Sequence, residues 1–124
     1  MSGVSAPDEL LAWADAVMSG AIALPAGLWQ HTAALLARQA LGQSLDRLWK
    51  ARAPGLEDRP ARFQLLCLPS FLEDADLAGR ASHVWWSLTN ACHHHPYNLA
   101  PTAAELRGWL GTVGEVVAAL EAAS

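Results

Sequence analysis

An all-α fold follows from three features of the sequence. Apolar residues recur at i, i+3, i+4 and i+7 along most of the chain, which is the helical period. No strand-like alternation competes with that pattern. Pro, Gly and acidic residues fall where helices would start and stop. The simplest architecture is one domain over residues 1–124, a bundle of about five mostly antiparallel helices, with residues 1–6 as a flexible N-terminus.

The first helix runs from about Pro7 to Ser19, with Pro7 suited to the first turn and Gly20 to a stop. Leu10, Leu11, Ala14, Val17 and Met18 form its apolar side. A linker through Leu24 and Pro25 leads to the longest helix, about Ala26 to Ala53. There Ala33, Ala34, Ala37, Ala40, Leu41, Ser44, Leu45 and Leu48 share one face at 100° per residue, with Gln39, Gln43, Asp46 and Lys50 opposite. Small alanines let a neighbouring helix approach closely. Asp46 and Lys50 are expected to pair at i,i+4, worth a few tenths of a kcal/mol. Pro54-Gly55 ends the helix, and the charged segment Gly55 to Arg59 reads as an exposed loop.

A shorter helix is expected from about Pro60 to Leu72, broken or kinked at Pro69. The fourth begins near Glu73-Asp74 or Asp76, where carboxylates suit the positive helix end, and continues to a run of histidines. The fifth opens with a capping box, Thr102-Ala103-Ala104-Glu105, after Pro101. Its stripe is Leu106, Trp109, Leu110, Val113, Val117 and Leu120. Gly108, Gly111 and Gly114 lie on the back of that stripe, where close helix packing, a contact between copies or plain composition accounts for them.

Composition excludes several classes of function. At 52% hydrophobic and 16% charged the chain is too apolar for a disordered protein and rather apolar for a small monomer. Limited interior leaves apolar groups near the surface, which favours an oligomer or a protein partner. The formal charge of −4 argues against a broad nucleic-acid face. No secretory signal is visible at the N-terminus, and no apolar run reaches the roughly 18–20 residues that span a bilayer, so a cytoplasmic location without membrane insertion is expected. Cys67 and Cys92 read as buried free thiols.

Chemistry-bearing residues concentrate in Thr89-Asn90-Ala91-Cys92-His93-His94-His95-Pro96-Tyr97, which holds three of the five histidines and the sole tyrosine. On the fourth helix Leu77, Ala81, Val84, Trp85, Leu88, Ala91 and Cys92 point toward a core. His83, Asn90 and His94 fall together on the other side, flanked by Arg80 and Ser87, with Trp86 beside them. Arg80, His83, Trp86 and His93 are therefore candidate binding residues. Metal binding is disfavoured, because adjacent histidines on a helix point about 100° apart. His83 and His94 are about 16 Å apart along a helix, so an ion would need His31, Asp46 or a second subunit. No turn presents Ser82, Ser87 or Cys92 as a nucleophile, and no phosphate-binding loop or dinucleotide fingerprint occurs. No cofactor or metal is expected.

The long helix containing Ala33-Ala34-Leu35-Leu36-Ala37-Arg38-Gln39-Ala40-Leu41, followed by Leu45 and Leu48-Trp49, resembles the opening of HEPN domains, as does the later polar motif ending in His. The segment Ala91-Cys92-His93-His94-His95-Pro96-Tyr97, with Leu99 to Leu106, is similar to small actinobacterial proteins encoded beside caspase-like and tetratricopeptide-repeat genes in conflict systems. The HEPN resemblance implies a four- or five-helix bundle that dimerises and, in many members, a metal-independent RNase. The active motif of that family is an Arg followed four to six residues later by a His. Asn90 stands five residues before His95, where an active member carries Arg, and Asn supplies no fixed positive charge. Arg107 or Arg38 is the cation available from another helix.

Two expectations result. One is a non-catalytic, homodimeric interaction module serving a bacterial defence or stress system. The other is a metal-independent endoribonuclease toxin in which His94 or His95 is the general acid/base, Asn90 positions phosphate, Tyr97 assists, and the RNA's own 2′-hydroxyl attacks. A metal-binding helical protein using the histidine run is a third.

Overall fold

Proline and glycine set the helix boundaries before any packing is considered. The computed structural model describes residues 6–93 and 100–124 and contains, among them, five α-helices and two short 3₁₀ turns. Helix α1 spans Pro7–Ser19, with Pro7 in its first turn and Gly20 closing it in the left-handed conformation (φ 81°), its N–H on the Val17 carbonyl. Ala6 is the N-cap of α1, its carbonyl accepting from the Leu10 N–H at 3.0 Å. Helix α2 spans Trp29–Arg52, starting later than the expected Ala26. Gly27 is the reason: its φ of 85° is incompatible with a right-handed helix.

The segment expected as an exposed loop contains a 3₁₀ turn, Leu56–Asp58, in which Leu56 and Glu57 are half-buried. Helix α3 is only Ala61–Cys67. It passes into a second 3₁₀ turn, Leu68–Ser70, because Pro69 cannot donate into an α-helical ladder. Helix α4, Ala75–Cys92, is capped by Asp74, which accepts from the Leu77 N–H at 3.1 Å. Helix α5, Ala103–Ala123, carries the full capping box: Thr102 accepts from the Glu105 N–H and Glu105 accepts from the Thr102 N–H.

Four cross-helix bonds fix the chain direction. Arg80, early in α4, meets Glu115, late in α5. Arg107, early in α5, meets Asp15, late in α1. Arg38 in the first half of α2 meets Thr89 at the end of α4, and Arg52 at the end of α2 meets the Ala123 carbonyl at the end of α5. Helix α1 therefore runs antiparallel to α5, α4 antiparallel to both α2 and α5, and α2 parallel to α5. Arg52 also supplies a cation to the negative end of α5, whose own last turn has none.

Helix α2 is the central element, packing on α1, α4 and α5. All eight residues assigned to its inner face are buried, joined by Trp49. Leu68, Leu88, Leu106, Val113, Val116, Val117 and Leu120 complete a single connected core. Val116 and Ala78 are buried beyond the expected stripes, whereas Trp85, Ala91, Cys92, Trp109 and Leu110 are half-buried at its edge. Both cysteines are also half-buried, because each sits at the margin of its helix's inner face.

Trp49 is fully enclosed, and its indole N–H donates to the Gln64 side-chain oxygen at 2.9 Å. The Gln64 amide nitrogen then donates to the carbonyls of Arg59 (2.8 Å) and Glu57 (3.2 Å), and Phe71 packs edge-on against Trp49 at 5.1 Å. One buried amide thus joins α2, the 3₁₀ turn and α3. The expected Asp46–Lys50 ion pair is absent: among the described residues the ion pairs are Arg80–Glu115 and Arg107–Asp15. Partial burial raises the Asp46 carboxyl pKa, an effect that Lys50 opposes without forming a bridge.

Close packing within the chain does not account for the glycines of α5. A methyl group built on Gly108, Gly111 or Gly114 meets nothing within 4 Å. Gly111→Ala is therefore expected to raise stability by about 0.5–1 kcal/mol through helix propensity alone. In contrast, Gln64→Ala is expected to cost about 2–3 kcal/mol, because it strands a buried indole N–H and removes two backbone contacts. Urea denaturation of both variants checks the two signs together.

Candidate functional site

Helix α4 turns one side to the core and presents the other to solvent, and its candidate residues occupy the outer side. Leu77, Ala78, Ala81, Val84 and Leu88 are buried, whereas His83, Asn90 and His93 are exposed. Trp86 lies opposite the core with 43% of its surface exposed. His93 is the residue that ends the helix; its backbone (φ −96°, ψ 56°) leaves the helical range while its N–H still bonds to the Thr89 carbonyl at 3.0 Å. The Ser87 hydroxyl donates back to the His83 carbonyl at 3.0 Å, which satisfies it without outside help. His94, His95 and Tyr97, three of the four residues assigned to catalysis, lie outside the described residues.

Arg80 is committed to structure. Its guanidinium bonds Glu115 at 2.9 Å, which raises the Arg80 pKa and lowers that of Glu115. Arg107 is likewise engaged with Asp15 on α1. Of the two arginines available from another helix, only Arg38 reaches the end of α4.

The setting of Arg38 is specific. Its guanidinium carbon lies 4.6 Å from the centroid of the Trp85 ring, a cation–π contact. Its Nε–H donates to the Thr89 hydroxyl at 3.1 Å, and that hydroxyl donates to the Trp85 carbonyl at 2.8 Å. Trp85 is thereby clamped between α2 and α4, and a positive charge is held one residue from Asn90. Nearby Cys92 has its thiol pKa raised by burial, while the Arg38 charge pulls it back down. Helix-wheel reasoning placed Trp85 and Cys92 toward the core but did not join them to Arg38. A signal was present nonetheless: Arg38 is the lone charged residue between Ala16 and Leu45.

Among the described residues no three His, Cys, Asp or Glu side chains gather in a metal-holding arrangement. A cleft of about 900 Å³ lies at the other end of the bundle, bordered by Arg52, Phe71, Asp74 and Ala123. Its arginine is already spent on the Phe71 ring (5.6 Å) and the Ala123 carbonyl, and of the two acidic side chains lining it, Glu73 and Asp74, the latter caps α4. That hollow is a by-product of joining helix ends and holds none of the candidate residues. Among the described residues no helix is long and apolar enough to cross a membrane.

Comparison of the chain with protein-family models, with curated proteins and with solved structures finds no match. The outer face of α4 is therefore read on its own chemistry. It offers an exposed indole, imidazoles and an amide.

The Arg38–Cys92 relation can be tested directly. Removing a nearby positive charge disfavours thiolate, so Arg38→Ala is expected to move the midpoint of Cys92 alkylation to higher pH. Mass spectrometry of iodoacetamide labelling across pH reads that midpoint, and the accessibility gained on truncation affects the plateau rate instead. An unmoved midpoint would mean that Arg38 exerts no field at the thiol.

Proposed function

We propose that this chain is a non-catalytic helical interaction module, working through protein–protein contact as an accessory of a bacterial defence or stress system. The observation that carries this reading is Trp86, whose indole stands 43% exposed on the outer face of α4. Large aromatics surrounded by uncharged groups are typical of interface cores, where charged residues are depleted. The arginines nearest that face support the same reading, since Arg80 is paired with Glu115 and Arg38 is stacked on Trp85. Membership of a conflict system rests on the resemblance of the Ala91 to Leu106 segment to small actinobacterial proteins of that kind.

A second reading has one specific observation in its favour. Arg38 holds a positive charge on Thr89, the residue before Asn90 in the chain, and an HEPN-type ribonuclease requires a cation at its site. In that reading Asn90 and Arg38 position phosphate, and His94 or His95 transfers the proton. It requires Arg38 to leave Trp85 and Thr89 or to act while held by them.

RNA cleavage separates the two. Untagged protein in EDTA is expected to leave RNA intact at high protein excess, with His94→Ala and His95→Ala indistinguishable from wild type. Chelator-resistant cleavage that disappears in either variant would establish the nuclease and sink the interaction module.

A further inference from the structure

Exposed large apolar side chains occur on several helices, but only two of them share a helical turn among the described residues. Phe63 is 48% exposed and Leu66 74%, three residues apart on α3. The others, Trp13, Leu28, Leu35 and Trp86, stand at least two turns from one another along the chain. At about 100° per residue, Arg62, Leu66 and Phe63 fill one side of α3, while Gln64 and Leu65 point the opposite way into the core. The helix cannot roll to hide that outer side. Gln64 is held by the Trp49 indole and by the carbonyls of Glu57 and Arg59, so the fold keeps Phe63 and Leu66 in water. Single exposed apolar groups are ordinary, whereas a rigidly held pair marks a contact surface.

The charge on this segment is opposite to that of the chain. From Arg59 to Leu72 there are two arginines and no carboxylate, although the net charge is −4. Arg38, Arg52, Arg80 and Arg107 are each engaged by another helix. The side chains of Arg59 and Arg62 are exposed and take no ion pair or hydrogen bond among the described residues. Two of the carboxylates that flank the segment are occupied: Glu57 accepts from the Gly55 N–H and Asp74 from the Leu77 N–H.

We infer that the outer side of α3 docks an acidic amphipathic segment of another protein. Phe63 and Leu66 cover its apolar side chains, and Arg59 and Arg62 take its carboxylates. Charge complementarity selects this occupant, because a guanidinium pairs with a carboxylate through two parallel bonds. A second copy fits poorly: a two-fold contact on so small a patch sets the arginines of one chain against those of the other. Anionic lipid and nucleic acid need clustered cations to outweigh a net charge of −4, and here there are two. Because Gln64 fixes α3 beforehand, only the incoming segment loses freedom on binding. The contact is small, so a Kd of about 10–100 µM is expected. This surface is on a different helix from Trp86, and its test stands or falls independently of RNA cleavage.

Displayed random peptides of about 12 residues, three to four helical turns, selected against the full chain test it. Enriched peptides are expected to combine two apolar residues at i,i+3 or i,i+4 with several Asp or Glu. Fluorescence anisotropy with such a peptide is expected to show binding that weakens several-fold between about 0.05 and about 0.5 M salt, as screening removes the attraction. Leu66→Ala and Arg62→Glu are each expected to weaken it at least about fivefold. Both side chains are exposed, so circular dichroism should report intact helix. Trp13→Ala, which removes an equally exposed aromatic from α1, should leave binding as it was. Failure to enrich any peptide, enrichment of peptides without acidic residues, or binding that survives both α3 variants overturns the inference. So does Leu66-dependent binding to phosphatidylserine vesicles or Leu66-dependent self-association, either of which gives this surface a different occupant.

Discussion

The indole N–H of Trp49 sets the terms for this fold. A tryptophan with no exposed surface must find an acceptor inside the protein, because an unsatisfied buried donor costs about 1–3 kcal/mol. Gln64 provides that acceptor from a helix only seven residues long. Such a helix has little stability of its own, so α3 exists because its amide is held on three sides. The same bond fixes where the chain turns after α2, and hence where α4 begins. Phe71 against the Trp49 ring and Arg52 over Phe71 extend that junction to the end of α5. One polar bond within an apolar core thus orders the end of the bundle where most of the charge lies.

The helices were largely legible in the sequence, and for local reasons. The Thr102–Glu105 capping box, the Pro7 and Gly20 boundaries of α1 and the alanine face of α2 are encoded within one or two turns of chain. What was not legible needed contacts distant in sequence. Nothing near Gln64 marks it as buried, since its partner is fifteen residues away and its role depends on Trp49 being enclosed. Asp46 and Lys50 illustrate the opposite failure. Their spacing permits a pair, but both side chains are exposed, and an exposed i,i+4 pair gains too little to hold two long side chains in one geometry.

The candidate site divides in the same way. The outward position of His83, Trp86 and Asn90 followed from the period of α4 alone. That Arg38 rather than Arg107 reaches the end of α4 depended on which helices neighbour it, which periodicity does not encode. Arg107 goes to α1 because α5 runs antiparallel to α1, and Arg38 goes to α4 because α2 runs antiparallel to α4. The HEPN expectation draws on a single distant contact, that of Arg38 with Thr89. An all-helical bundle is common to many functions, so the architecture alone favours neither reading.

The two ends of the bundle solve different physical problems. At the charged end, helix termini and turns are tied by side chains: Asp74 caps α4, Arg52 caps α5 and Gln64 holds the 3₁₀ turn. These bonds satisfy polar groups that solvent would otherwise serve, while Phe63 and Leu66 on α3 stay exposed there. At the other end, α2 begins at Leu28 without a side-chain cap, and its Leu28 and Leu35 face outward beside a helix bearing Trp86. Apolar surface left there is worth about 25 cal/mol per Å² once covered, and no charge needs to be desolvated to cover it. The Arg38–Trp85–Thr89 clamp ties α2 to the last turns of α4.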